Sequence, residues 1–173
     1  MATALYAGLA DDTVGFMSHR TDANVFETAA ELARAGADIT TVNEALFHTR
    51  SLASLRLLSK ILEMMELRGD ARIALMEVSR PMIEQSGGGL SACDEALYTA
   101  LGLPTVVAAL LLREQEDGSI KVSLRTDDGI DVESIASAYG GGGHHFAAGF
   151  IARDISIRQL GEALVSTIKK EMD

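Results

Sequence analysis

Between residues 140 and 149 the chain reads Gly-Gly-Gly-Gly-His-His-Phe-Ala-Ala-Gly, and no other stretch limits the fold so sharply. Four consecutive glycines bring no side chains for packing and carry the largest backbone entropy cost of any residue, so they suit neither a helix interior nor a strand. They serve where φ must be positive or where another group comes close to the backbone. A glycine-rich turn with unpaired N–H groups can form an anion-binding concavity, and the imidazole of His144 beside it is a further donor. A bare glycine run is more often a flexible hairpin or a helix stop. Here Ala147, Ala148 and Gly149 follow at once and let the segment pack tightly against a neighbour. A floppy linker has no need of that.

The 173 residues, 47% of them apolar and 23% charged, suffice for one good-sized folded domain or a domain with a helical appendage. The single cysteine, Cys93, excludes an intramolecular disulfide framework or a cysteine cage for metal. It reads as a small buried hydrophobe and fits a reducing cytoplasm, the expected location. No apolar run approaches the roughly 18 to 20 residues of a membrane span, so no membrane partner is expected. The net charge of −10 repels nucleic acid and anionic membranes at long range, so a phosphate-bearing ligand must be held by a local site.

In chain order, Thr3 to Ala10 is apolar almost throughout and delivers Asp11-Asp12-Thr13, either a solvated turn or a hard-cation ligand at an element's tip. The uncapped start reads as an element cut from a larger domain. Thr21 is the expected N-cap of a helix through Ala35, and Thr41-Val-Asn-Glu44 matches a capping box. Leucines and methionines at 52, 55, 58, 62 and 65 predict an amphipathic helix from Ser51 to Leu67. Arg68-Gly-Asp70 then marks a boundary. Beyond it the pattern predicts a strand over 71–79, a helical turn from Pro81 to the glycines at 87–89, and a helix through Leu101 capped by Ser91 and Asp94. A strand over 105–112, a hairpin turn at Glu116-Asp117-Gly118 and a strand over 119–126 follow. Next come a helix opened by Asp131 and Ser134, a strand over 150–155, and a last helix behind the capping box Ser156-Ile-Arg-Gln159. In the strand 119–126, Ile120, Val122 and Leu124 alternate with Lys121, Ser123 and Arg125, which puts three donors on one face. That face is either an ordinary solvated surface or a grip for phosphate, for which the arginine fork is suited.

Tyr6 to Thr13 with Phe16, Leu111 to Arg125, and Gly140 to His144 with Ala147 to Gly149, in that order, resemble the C-terminal half of DHH-family phosphoesterases. The resemblance covers nearly the whole chain and is nearest to the RecJ-like branch of bifunctional oligoribonucleases and 3'-phosphoadenosine-5'-phosphate phosphatases. It implies an α+β fold, a mixed β-sheet with flanking helices preceded by a helical segment. The expected organisation is a remnant of the DHH catalytic domain at 1–20, a helical connector at 21–70 and a DHH-associated substrate-binding domain at 71–173.

By the same resemblance Arg125, Gly141, Gly142, Gly143 and His144 bind the substrate's phosphate and nucleotide. Asp12 matches one ligand of a two-cation site, usually manganese, although Val14 and Gly15 stand where the family has Gly-x. No Asp-His-His and no His-x-Asp-x-Asp occurs in the 173 residues. The expectation is therefore a fragment inactive alone, whose partners are a DHH domain, a short oligonucleotide or small nucleotide, and a possible second copy in a homodimer. The rival readings are a non-catalytic nucleic-acid-binding module of the kind attached to alanyl-tRNA synthetases, and a scaffold using the Ser51 to Leu67 stripe.

Overall fold

The computed structural model of the protein describes residues 1–18, 21–126 and 129–172. His19 and the expected end of the first segment at residue 20 lie outside them. Contacts divide the chain into two compact units, Met1–Arg50 and Ser51–Asp173.

The first unit is helical: α1 (Ala2–Asp12), α2 (Ala23–Arg34), α3 (Ile39–Asn43) and a single π-helical turn, Glu44–His48. Tyr6, Ala10 and Val42 form its small core, with Phe16, Ala29, Leu32 and Phe47 packed around them. Both expected caps move by a few residues. Asp22, not Thr21, caps α2, its carboxylate accepting from Val25 N at 2.9 Å. Asp38 caps α3 and accepts from both N and Oγ1 of Thr41, so Thr41 receives no capping role of its own. An ionised carboxylate accepts an orphan N–H more strongly than a hydroxyl does, and this lowers the pKa of both acids.

The second unit is built around the alternation of residues 120–126. Its elements are α4 (Leu52–Glu63), β1 (Glu66–Arg68), β2 (Ile73–Val78), α5 (Arg80–Ser86), α6 (Ala92–Leu101), β3 (Ala108–Glu114), β4 (Ile120–Thr126), α7 (Val132–Ala138), β5 (Gly142–His144), β6 (Ala147–Ala152) and α8 (Ile157–Met172). Among the described residues six strands form one sheet in the order β1-β2-β3-β4-β6-β5, with β2 and β3 parallel and every other pair antiparallel. This is the mixed sheet with flanking helices expected of an α+β fold.

One face of the sheet carries Leu75, Leu110, Leu112, Val122, Leu124 and Phe150 against Ile135 of α7 and Leu160, Leu164 and Ile168 of α8. The other face carries Ala74, Met76, Val78, Ala109 and Leu111 against Leu57, Ile61, Met82, Cys93, Ala96 and Leu97 of α4, α5 and α6. That second layer covers β2 and β3, and α6 reaches to β4. Each fully buried leucine or isoleucine contributes about 1.5 to 3 kcal/mol, so these two layers and not local propensity hold the unit together.

The helix over 51–67 is shorter than expected, because Glu66–Arg68 leaves it to pair antiparallel with β2 as an edge strand. Its buried line is Ser54, Leu57 and Ile61, with Leu58, Leu62 and Met65 at its flanks, while Leu52 and Leu55 stay exposed. Of the expected stripe, Leu58, Leu62 and Met65 are partly buried against the core, while the fully buried positions are Leu57 and Ile61 between them. The same packing groups α4 with the sheet-bearing unit. Strand β3 starts three residues later than expected, because Val106 N donates to Leu103 O in a turn after Pro104. Strand β6 starts three residues earlier, because Ala147–Gly149 already pair with β4. The caps at Asp131 and at Ser156 with Gln159 form as the sequence predicts. Cys93 is buried, and desolvation raises its thiol pKa to about 11 against the opposing pull of nearby Arg113.

Candidate functional site

Helices α4 to α6 cover β2 and β3 and α6 reaches to β4, so much of the same face of β4, β6 and β5 is left open. Strand register states what stands on it. Arg125 pairs with Ala147 and Ala147 with His144; Ser123 pairs with Gly149 and Gly149 with Gly142; Lys121 pairs with Ile151. Residues directly opposite in a sheet point to the same side, and those two apart along a strand do so as well. Lys121, Ser123, Arg125, Gly142 and His144 therefore share one face. Arg125 and His144 lie in one cross-strand row, two strand spacings or about 10 Å apart.

A shallow cleft of about 390 Å³ opens there, lined by Asp94, Lys121, Ser123, Arg125, Gly142 and Gly149 among others. Of the residues expected to bind substrate, Arg125 and Gly142 meet in it, and His144 stands one strand beyond Ala147 at its rim. Gly141 and Gly143 turn the other way. A Cβ on Gly141 would stand 2.4 Å from Phe150 Cβ, and one on Gly143 2.9 Å from Ala148 Cβ, whereas Gly142 has open space around it. Gly141 and Gly143 are thus glycine for packing, and Gly142 is the one facing the cleft.

The glycine run is not the turn of free amides that the sequence suggested. Gly140 N donates to Ser137 O and Gly141 N to Ala136 O, so these two glycines terminate α7. Gly142 to His144 then pair with β6 as a short edge strand. Four glycines could do this because the strand lies close against β6, where side chains on the inward positions have no room. The turn between β5 and β6 is held by Val132 N donating to His145 O and Thr126 N to Phe146 O. His145 Nδ1 also lies 3.4 Å from Asp131 Oδ1. Hydrogen bonds from Ser134 hold the Asp131 carboxyl below its usual range, so this acid stays ionised while capping α7.

Arg125 is the strongest anion-seeking group on the face. Its Nη1 donates to Leu124 O at 3.0 Å, Nη2 lies 3.6 Å from Asp94 Oδ1, and buried Nε finds no acceptor among the described residues. A guanidinium with donors left over is suited to a bidentate anion. Asp94 was expected to cap α6 with Ser91, and no side-chain cap forms. Instead it projects from the first turn of α6 to the cleft. Periodicity gives no sign of this, because it depends on α6 lying over β3 and β4.

Asp12 closes α1 in the first unit, followed by Thr13, whose Oγ1 donates to Leu9 O at 2.7 Å. Val14, Gly15 and Phe16 all have positive φ, at 52°, 65° and 67°. Val14 is a β-branched residue in the left-handed region, a strained arrangement. Among the described residues no three His, Cys, Asp or Glu side chains converge on a possible cation position. One carboxylate does not hold a divalent ion, so the described residues do not fit the manganese site that the resemblance implied. No helix of the described residues is long and apolar enough to cross a membrane.

Residues 91–172 match the DHHA1 domain, and nearly the whole chain is similar to bifunctional oligoribonucleases and PAP phosphatases and to cyclic-di-AMP phosphodiesterases. Over 172 residues it is 25% identical to the bifunctional oligoribonuclease and PAP phosphatase NrnA of Thermus thermophilus, covering 99% of this chain and 51% of that protein. It is 29% identical over 167 residues to the cyclic-di-AMP phosphodiesterase PdeA of Listeria monocytogenes, covering 96% of this chain and 24% of the relative. The solved structure of an exopolyphosphatase-related protein from Bacteroides fragilis shares the fold, with a TM-score of 0.86 at 23% identity, covering 98% of this chain and 50% of that one. The chain thus spans about half the length of the NrnA relative or less of the others.

Proposed function

We propose that this chain is the substrate-binding portion of a metal-dependent phosphoesterase that hydrolyses short oligonucleotides or 3'-phosphoadenosine-5'-phosphate. The observation that carries the reading is the open cleft on β4, β6 and β5, where Arg125, with unused donors, faces Gly142 across the Ala147–Gly149 strand. Arg125 grips a terminal phosphate, Gly142 lets the ligand approach the backbone closely, and His144 contributes a donor from the rim. Holding the ligand in one orientation turns a loose encounter into a positioned one. A small ligand also suits a chain of net charge −10, since release of many counterions is not needed. A two-cation centre, manganese by the family resemblance, belongs to a DHH domain working with this one, and this chain alone does not turn over.

Calorimetric titration with 3'-phosphoadenosine-5'-phosphate tests the binding role. Loss of charge-assisted hydrogen bonds worth about 1.5 to 3 kcal/mol makes Arg125→Ala bind roughly 10- to 150-fold more weakly. His144→Ala has a smaller effect from its position at the rim. Equal affinity in all three proteins removes the phosphate grip. Robust manganese-dependent phosphate release by the chain alone contradicts the division of labour.

A further inference from the structure

The open face does not end at Arg125. Arg113 on β3 is directly opposite Lys121 on β4. Like charges directly opposite on one face of a sheet repel and destabilise the pairing. A protein with ten more acids than bases has many carboxylates with which to neutralise such a pair, yet neither side chain has a hydrogen-bonded or ion-paired acid among the described residues. Of the nearby acids, Asp94 shares the cleft with Lys121 and lies 3.6 Å from Arg125, Glu84 is paired with Arg80 at 3.0 Å, Glu114 accepts from Arg80 N at 3.0 Å, and Glu116 is exposed at the hairpin. Lys121 lines the cleft that holds Arg125, and Arg113 lines a cleft of about 340 Å³ with Arg80, Leu90 and the carboxylates Glu84, Glu114 and Glu116.

We propose that Arg113 and Lys121 form a second phosphate subsite, which takes a further phosphodiester of an oligonucleotide whose end is held at Arg125. The proposal rests on the reading of Arg125 as the terminal-phosphate grip. Lys121 and Arg125 are four residues apart on one extended strand, about 13 Å. A ligand bridging the two positions carries phosphates spaced along a chain, so the subsite serves oligonucleotides and not mononucleotides. The small apolar floor between them, Gly149 and Ile151 on β6, leaves the path along the face free of acids other than Asp94.

Binding of end-labelled oligoadenylates, two and five nucleotides long, to the full chain tests this, measured by fluorescence anisotropy at several salt concentrations. Arg113→Gln and Lys121→Gln each weaken the pentanucleotide about fivefold or more and lower its salt slope by roughly one, as expected when one phosphate contact is lost, and leave the dinucleotide unchanged. Arg125→Ala weakens both ligands. If Arg125→Ala weakens binding and the two glutamine variants leave the pentanucleotide untouched, the second subsite does not exist and the first stands. If Arg125→Ala changes neither ligand, the underlying reading fails instead. Equal weakening of the dinucleotide by the glutamine variants also overturns the subsite, since it marks a general field effect. Circular dichroism of each variant establishes that the fold is kept.

Discussion

Replacing Gly142 and Gly143 one at a time by alanine separates the glycine that faces ligand from the glycine that permits packing. At Gly143 φ is +151°, and a Cβ would stand 2.4 Å from Ala147 O and 2.6 Å from Ala148 Cα, both backbone atoms that cannot swing aside. An unfavourable φ costs about 1 to 3 kcal/mol and overpacking about as much again, so Gly143→Ala loses roughly 2 to 5 kcal/mol. At Gly142 a Cβ meets nothing within 4 Å. Gly142→Ala therefore holds stability or gains about 0.4 to 1 kcal/mol, through the reduced freedom of the unfolded chain. For a protein of this size, a gap of about 3 kcal/mol separates the two melting temperatures by roughly 6 to 12 °C. Thermal unfolding followed by circular dichroism reads that gap. The added methyl of Gly142→Ala stands in the cleft floor, so 3'-phosphoadenosine-5'-phosphate binds it about tenfold more weakly despite the intact fold, the equivalent of about 1.4 kcal/mol. A slip of one residue in the pairing of β5 would exchange the two roles. Equal destabilisation by both variants, or unaltered binding by Gly142→Ala, refutes the assignment of faces.

Two further outcomes follow from the charges. Asp94 stands 3.6 Å from Arg125 with its side chain two-thirds exposed, so it adds little to stability and opposes an incoming anion; Asp94→Asn tightens phosphate binding several-fold at low salt with an unchanged melting temperature, and weaker binding by titration contradicts this. Burial raises the pKa of Glu77 above its ordinary 4.5 despite the attraction of Arg158. The folded state then binds more protons than the unfolded state just above pH 4.5, so this group's contribution to stability declines as pH rises through that window. Urea denaturation between pH 4 and 7 gives a shallower decline, or a steeper rise, for Glu77→Gln than for the parent; identical slopes overturn the assignment.

Much of the architecture was legible because local chemistry and the final fold agree. The alternation of Ile120 to Arg125, the Asp131 cap and the Ser156–Gln159 box each act within a few residues of themselves, and the structure keeps them. That Arg125 and the glycine run come to one face of the sheet was legible for another reason: their residues resemble a family pattern. The pattern could not say how the run is used. Its first two amides close a helix and its next three residues form an edge strand, an outcome set by β6 lying alongside and by Phe150 and Ala148 filling the inward side.

What the sequence determined, then, is set by a residue and its near neighbours: the strand periods, the caps at Asp131 and at Ser156 with Gln159, and the presence of a guanidinium on the polar side of β4. Tertiary structure alone decided that this polar side is a cleft and not an ordinary solvated surface. The helical layer leaves much of β4, β6 and β5 open, Asp94 arrives from a helix 31 residues earlier in the chain, and Arg113 is set opposite Lys121 by the β3–β4 register. These relations join residues distant in the chain. They arise from how layers cover a sheet, and no local period encodes them.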